Sequence, residues 1–538
     1  MYSKTVLVNG QIHTPMGTGE ALLIEGGRIS KAGGISDILP QRDAEFIDLQ
    51  GRAVFPGFAD SHLHFMSWAQ SQELLNLGGC RSVQELRERL GTYVRSRPLP
   101  EGEWYRGRGW NDARMAEGRS PNRHDVDGIV PHNPVILTRT CGHVALLNTA
   151  ALRLLGVTRD TRVAGGSFET DEDGEPNGLV TESATAWVRE RMPGLRDEDA
   201  LRLLEKYGPL AASFGLTQLN TDDMGAFEHD FRRLIAFYSG AERDGKLPFR
   251  VRQQFLLPER DALLDFLSEG WRTGDGTPLC QIGPLKLLTD GSLGGRTAFL
   301  REDYADSPGN RGVAIFEQEE LNALVAIAHS SGMQIAAHAI GDGALDMCLD
   351  ALEIAQRACP NATRHLIVHA QIADDRQLDR MKSLHVGAAV QPSFVPSDGE
   401  MAVARLGAEK AAGSYRWKSM LRRGIVLSGG SDAPVEDLRP LSGIHAAVTR
   451  QDADDKPGEG WTPDERLSVA EALALYTWAP AWHAGNERRR GEIREGQDAD
   501  LVVLEEDPFM VSPPNLRHIG VAMTLCGGRV TWRSDSFA

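Results

Sequence analysis

Ala53-Val54-Phe55-Pro56-Gly57-Phe58-Ala59-Asp60-Ser61-His62-Leu63-His64 is the stretch on which the fold turns. It starts as an apolar run and ends in two histidines spaced two apart. Side chains two apart on a strand share a face. His62 and His64 can therefore aim two imidazoles at one point, as a metal pair must. In a chain with 15 histidines the doublet is ambiguous alone, and the rest of the chain decides its meaning.

The 538 residues are 41% apolar and 25% charged, an ordinary globular composition. The length suggests two to four domains. No apolar run is long enough to span a bilayer. The opening Met1-Tyr2-Ser3-Lys4-Thr5-Val6-Leu7-Val8 lacks the apolar core and cleavage site of a secretory signal. Cys80, Cys141, Cys280, Cys348, Cys359 and Cys526 are scattered, with no Cys-x-x-Cys. That argues against a disulfide framework or a thiolate zinc site and fits a reducing cytosol, so a cytoplasmic location is expected. The net charge of -17 argues against nucleic acid or an anionic membrane as partner.

Upstream of the opening stretch, the chain reads as short strands and turns. Thr5-Val6-Leu7-Val8 followed by Asn9-Gly10 predicts a hairpin. Ala21-Leu22-Leu23-Ile24 and Arg28-Ile29 flank a Gly26-Gly27 turn. At the far end, Ala499 to Leu504 reads as a strand, and the segment from Ile519 to Trp532 as a hairpin about Gly527-Gly528. Each β-rich end is too small to bury much surface alone. The two together predict one β-sandwich domain built from residues 1–56 and 486–538.

Between them, short apolar runs ending in polar residues alternate with helical patterns, the mark of strand–helix units. The runs are Phe214 to Asn220, Val251 to Phe255, Gly283 to Leu288, Gln334 to His338, Leu366 to His369, Val386 to Gln391 and Ile425 to Asp432. With the strand before His62 they number eight, which suits an α/β (β/α)8 TIM barrel over residues 57–485. The long gap after His64 predicts an inserted subdomain at about residues 70–205.

A barrel builds its site at the C-terminal ends of its strands. Those ends carry His62 and His64, Lys286, His338, His369 and Asp432. Four histidines and an aspartate can surround one or two divalent ions. A free ammonium has no lone pair for a metal, but a lysine that has reacted with carbon dioxide becomes an anionic carbamate able to bridge two cations.

These segments resemble the amidohydrolase superfamily, and within it the amidohydrolase 3 branch that includes N-substituted formamide deformylase-like enzymes. The resemblance is carried by Pro56 to His64, by Lys286-Leu287-Leu288-Thr289-Asp290-Gly291-Ser292-Leu293-Gly294-Gly295-Arg296-Thr297, by His338-Ala339-Ile340-Gly341-Asp342, by His369-Ala370-Gln371 and by Gly430-Ser431-Asp432-Ala433-Pro434-Val435. Gly496 to Val503 and Arg139-Thr140-Cys141-Gly142-His143 also fit. The segments occur in order over nearly the whole chain. The resemblance implies that His62 and His64 bind the more buried metal, that Lys286 is a carboxylated bridge, and that His338 and His369 bind the second metal. It makes Asp432 both a ligand and the residue that shuttles the proton. It implies zinc, one or two ions, as cofactor. The branch commonly has Glu before the sixth-strand histidine, where this chain has Val368; strand alternation predicts that Val368 points away from the site.

The implied activity is hydrolysis of a small molecule's amide-type C–N bond, other than a peptide bond, with an N-substituted formamide as one candidate substrate. A hydrolase or deaminase acting on a cyclic amide, an N-acyl amino acid or an aminated ring is the alternative. A non-catalytic scaffold predicts decayed ligand positions, and here every position is filled. Arg296 is read evenly as a tie at the barrel rim or a clamp on a substrate carboxylate. Asp290, Trp110 and His143 join it as candidate substrate-binding residues, each with a structural reading beside it. A homodimer is open, since no sequence feature fixes an interface.

Overall fold

A computed structural model describes residues 4–38, 43–140, 142–163 and 165–537. Residues 1–3 of the amino-terminal reading and Cys141 of the Arg139-to-His143 motif lie outside them. The chain divides into two compact units, residues 1–69 with 195–538, and residues 70–194.

The centre of the larger unit is an eight-stranded parallel barrel. Its strands are β1 (Phe58–Leu63), β2 (Leu216–Thr221), β3 (Arg250–Leu256), β4 (Cys280–Leu288), β5 (Ile335–Ala339), β6 (Leu366–His369), β7 (Gly387–Val390) and β8 (Leu427–Gly429). Each pairs in parallel with the next from β1 to β8. The seam between β8 and β1 is drawn together past the end of β8. Asp432 N–H donates to the His62 carbonyl at 2.8 Å, and His64 N–H donates to the Ala433 carbonyl at 2.9 Å. Gly430 permits this approach: a Cβ there would lie 2.8 Å from His62 N and 3.0 Å from its carbonyl oxygen. The strands are buried on both faces, as a parallel sheet wrapped by helices requires. Leu285, Leu287, Ile335 and Ile367 face the helix layer in the main core.

The apolar run Ala53–Pro56 belongs to a different sheet from the histidines. It pairs antiparallel with Leu501–Leu504 and parallel with Gln11–Thr14 in a six-stranded sheet. Lys4–Val8, Ala21–Glu25, Arg28–Gly33 and Ala44–Asp48 form a four-stranded sheet. One apolar cluster, including Leu7, Leu22 and Ile24 of the second sheet and Val54, Leu501 and Val503 of the first, joins the two faces. The hairpins about Gly26-Gly27 and Gly527-Gly528 form as expected. The one at Asn9-Gly10 does not: Lys4–Val8 and Gln11–Thr14 lie in different sheets. Beyond Gly10 the chain leaves the first sheet, and Gln11 N–H donates to the Arg52 carbonyl at 2.9 Å. The turn signal marks a crossover between sheets.

Residues 70–194 hold a six-stranded mixed sheet, in spatial order Gly166–Thr170, Pro176–Glu182, Val144–Leu147, Val135–Arg139, Tyr105–Trp110 and Leu75–Asn76. One face covers a core around Trp110, Leu86 and Leu137, and the other a core around Trp104, Leu147 and Val180.

Candidate active site

The site is assembled at the C-terminal end of the barrel. In a parallel sheet, residues in register share a face. Lys286 is in register with Ala336 and Leu366, and Leu288 with His338 and Val368. Lys286 and His338 therefore look into the barrel. His62, His64 and Asp432 present ligand atoms within 4.8 Å of one another. Asp432 Oδ1 lies 3.5 Å from His62 Nε2 and 3.4 Å from His64 Nε2. Lys286 Nζ is 3.0 Å from His62 Nε2. The His369 ring centroid is 4.5 Å from that of His338 and 5.9 Å from that of His62.

One pattern organises the four histidines. Each directs Nδ1 at an acceptor: His62 at Gln254 Oε1 (3.1 Å), His64 at the Asp222 carbonyl (2.8 Å), His338 at Asp290 Oδ1 (2.9 Å) and His369 at Gln391 Oε1 (2.7 Å). The two glutamines are oriented by their own amide donors. Gln254 Nε2 donates to the Ser61 and Asn220 carbonyls, and Gln391 Nε2 to the Ala389 carbonyl. With Nδ1 carrying the proton, a neutral ring keeps its Nε2 lone pair for the centre, as metal-ligating histidines require; His64 is the ring that, without a cation, is drawn by Asp432 to hold a second proton on Nε2. The donor set (four imidazoles, a carboxylate and a lysine) fits one or two divalent cations.

The electrostatics agree with the packing. Burial and the nearby Lys286 ammonium hold His62 neutral, well below the usual imidazole range. Burial and His338 do the same to His369. Burial works against the charge of Asp432, but the hydrogen bond from His64 and the fields of His62 and His369 hold its carboxyl well below the ordinary range. Burial also opposes charge on His64, but Asp432 and Asp222 outweigh it and lift the ring to about 9. Burial pushes Lys286 down to about 8 despite Asp222 and Asp432.

Two ligand positions carry strain. His369 has φ of 76° and Asp432 φ of 55°, left-handed values that non-glycine residues avoid at a cost of about 1–3 kcal/mol. The turn at His369 also corrects the expectation for Val368. Val368 is in register with His338 and packs with Ala336, Leu366 and Ala389, so it faces the barrel interior. The left-handed backbone breaks the strand alternation and lets His369 reach the centre as well.

The substrate-binding expectations fare differently from the ligand set. Asp290 is buried and fully engaged: Oδ1 accepts from His338 Nδ1 and Ile340 N, and Oδ2 from Gly341 N and Phe299 N. It supports a histidine and has no oxygen left for a substrate. Arg296 makes a two-pronged pair with Asp306, the rim tie of the two readings. Trp110 is 0% exposed, and its Nε1 donates to the Leu137 carbonyl at 2.8 Å; it is a core residue of its own unit, because an indole with its donor satisfied packs best where water is excluded. His143 is exposed, with Nδ1 3.3 Å from Glu182 Oε2.

The supporting residues Gln254, Gln391, Asp222 and Asp60 went unread in the sequence. Asp60 accepts from the backbone N–H of His62 and Ser431 across the seam. The available signal was register: Gln254 lies two before Leu256, which pairs with Lys286, and Gln391 two after Ala389, which pairs with Ser428.

The barrel, with its ring of histidines, lysine and aspartate at the strand ends, has the architecture of a hydrolase built around cations. The chain belongs to the amidohydrolase family, whose sequence model matches residues 45–532. It is 33% identical over 542 residues to the Bacillus subtilis (strain 168) protein YtcJ, provisionally named an amidohydrolase, with 99% of this chain and 100% of that one aligned. It is 28% identical over 527 residues to an N-substituted formamide deformylase of Arthrobacter pascens, covering 95% of this chain and 94% of the relative. A solved structure of an uncharacterized metal-dependent hydrolase from Pyrococcus horikoshii OT3 superposes with a TM-score of 0.80 at 30% identity, covering 95% of this chain and 99% of that one. Family and structural neighbours alike support a hydrolase.

Proposed function

We propose that this chain is a metal-dependent hydrolase that cleaves an amide-type C–N bond, other than a peptide bond, in a small molecule. The observation that carries the reading is the gathering of four histidines at the C-terminal end of the barrel, each with its Nδ1 on an acceptor, beside Asp432 and Lys286. His62, His64 and Asp432 would hold one cation, and His338 and His369 a second. Lys286, as its carbamate, would add anionic oxygen ligands to the set. Zinc is the proposed ion, since imidazole and carboxylate suit it. Such a cation supplies Lewis acidity, bringing the pKa of water toward ~7 and polarising a carbonyl.

The chain's own part is proton transfer and positioning. Asp432 stays ionised and takes the proton of the attacking water at its carboxylate. It then delivers that proton to the departing nitrogen, since an amine leaves poorly unless protonated. The interior beneath the site is apolar, with Val368, Ala336 and Ala389 excluding water.

An N-substituted formamide is the proposed substrate, supported by the named activity of the Arthrobacter pascens relative. The proposed location is the cytoplasm; among the described residues no helix is long and apolar enough to cross a membrane. Formate release from N-benzylformamide by zinc-loaded protein tests the reading. Turnover of a cyclic or N-acyl compound without any formate would replace the formamide, and absence of bound metal on elemental analysis would overturn the whole assignment.

A further inference from the structure

We propose that Asp290 is a positioning residue that couples the loop after β4, residues 291–316, to the histidine pair of β5 and β6, so that a cation held there also orders the loop. The inference rests on the metal reading above and deepens it.

The geometry is a clamp centred on one carboxylate. Oδ1 takes His338 Nδ1–H and Ile340 N–H, and Oδ2 takes Gly341 N–H at 2.8 Å and Phe299 N–H at 3.0 Å. Three of these donors belong to the end of β5 and the turn after it; the fourth belongs to the loop. Phe299 answers in the other direction. Its carbonyl accepts from Gly343 N at 3.0 Å and Ala344 N at 3.2 Å, two of the open N–H groups in the first turn of the helix Asp342–Ala358. The contact is close enough to require glycine. A Cβ on Gly341 would lie 2.0 Å from the Phe299 carbonyl oxygen, and one on Gly343 would lie 2.9 Å from the Phe299 ring. Arg301 N–H adds a bond to Asp342 Oδ1 at 3.0 Å. The far side of the loop is pinned by the Arg405 guanidinium on Asp306 and by Ala305 N–H on the Arg405 carbonyl at 2.8 Å.

A cation on His338 Nε2 pulls electron density from the ring and strengthens the Nδ1–H bond to Asp290. It also fixes the ring, and with it the carboxylate that the loop shares. Coupling of this kind is reciprocal: a loop that is better ordered by the ion holds the ion more tightly.

The test is hydrogen exchange by mass spectrometry on the full chain, stripped with chelator and then reloaded with Zn2+. Peptides containing Phe299 and Gly341 are expected to exchange at least about tenfold more slowly with Zn2+. Asp290→Asn places an amide NH2 against N–H donors in either orientation; it is expected to lose this protection and to weaken Zn2+ by about 10–100-fold. Arg405→Gln, which loosens the loop from its far end and touches neither Asp290 nor a histidine, is expected to weaken Zn2+ several-fold by linkage. Stoichiometric Zn2+ with identical exchange in both states would overturn the coupling and leave the metal reading intact. So would Zn2+ affinity unchanged in Arg405→Gln. A wild-type protein that takes up no Zn2+ overturns the metal reading and the coupling with it.

Discussion

Strands β5 and β6 carry a histidine pair at each end, and the two pairs are built on opposite rules. At the C-terminal end stand His338 and His369, with ring centroids 4.5 Å apart. At the N-terminal end stand His329, in the helix before β5, and His365, just before β6, with centroids 5.0 Å apart. The lower pair consumes its own hydrogen-bonding capacity. Ile335 N–H donates to His365 Nδ1, which leaves the proton on His365 Nε2 for His329 Nδ1 at 2.8 Å; His329 Nε2–H then donates to the Cys359 carbonyl at 2.8 Å. The upper pair uses only Nδ1, on Asp290 and Gln391. Among the described residues, neither upper Nε2 has a protein partner. Two buried histidines with closed hydrogen bonding stabilise a fold; two with an Nε2 lone pair left over are the ones assigned above to the proposed second cation.

The largest effect is expected on the residue that the upper site is argued to need for chemistry. Asp432→Asn keeps the shape of the carboxylate but cannot take a proton, so turnover should fall by about 10²–10⁴-fold while metal is partly retained. Steady-state kinetics beside elemental analysis checks it, and undiminished turnover would remove the shuttle role.

The two pairs can also be crossed. His369→Leu should cost at least about 100-fold in turnover and lower stability less than His365→Leu does, because it leaves one buried group, Gln391 Oε1, without its donor. His365→Leu should leave Ile335 N–H and His329 Nδ1 unsatisfied and lower stability by about 2–4 kcal/mol, with turnover of the folded fraction near normal. Urea unfolding and kinetics on both variants decide the matter. Equal losses of activity would dissolve the distinction between the two ends of the barrel.

This contrast also marks how far the sequence could be read. Lys286, His338, His369 and Asp432 were legible because a barrel puts its chemistry at strand ends, and apolar runs reveal those ends. Of the seven strands read with explicit bounds, five fall within two residues of them at both ends. The start of the Lys286 strand and the end of the last strand stray further: β4 begins at Cys280, and β8 stops at Gly429 before the left-handed Asp432. His329 and His365 drew no reading, since their meaning lies in which nitrogen meets which donor. Gln254 and Gln391 were opaque for the same reason. Val368 was misplaced because alternation assumes a regular backbone, and His369 does not have one. For Trp110 and Asp290 the structural reading that stood beside the substrate-binding one is the one their contacts favour.

A smaller effect is expected from the acceptors behind the rings. Gln391→Leu and Gln254→Leu each remove the partner of a histidine Nδ1 without touching a ligand atom. Each should weaken Zn2+ by about 10–100-fold, measured by competition with a chromophoric chelator. An unchanged affinity would mean that packing alone orients the imidazoles.

The smallest effect separates the pairs by pH. Burial, reinforced by His329, pushes His365 down to about 3 in the folded chain, against an unfolded value of about 6.5. Between these two values the unfolded chain binds a proton that the folded chain does not, so stability must fall as pH is lowered. The contribution is fully present above pH ~6.5 and is lost progressively toward pH ~3. At pH 5 the loss is about 2 kcal/mol. His365→Gln can still accept from Ile335 N–H and donate to His329, and it does not titrate. On metal-free protein, the difference in unfolding free energy between pH 7 and pH 5 should therefore shrink in the variant by about that amount. Metal-free conditions matter, because His62 and His369 also sit below the usual imidazole range and an ion would add its own pH dependence at the upper end. Subtracting the variant's profile from that of the wild type removes whatever the upper site contributes and isolates the lower pair. Parallel profiles would mean that His365 protonates as readily in the fold as in water, and a pair closed by hydrogen bonds in this way cannot accept that proton without breaking one of them.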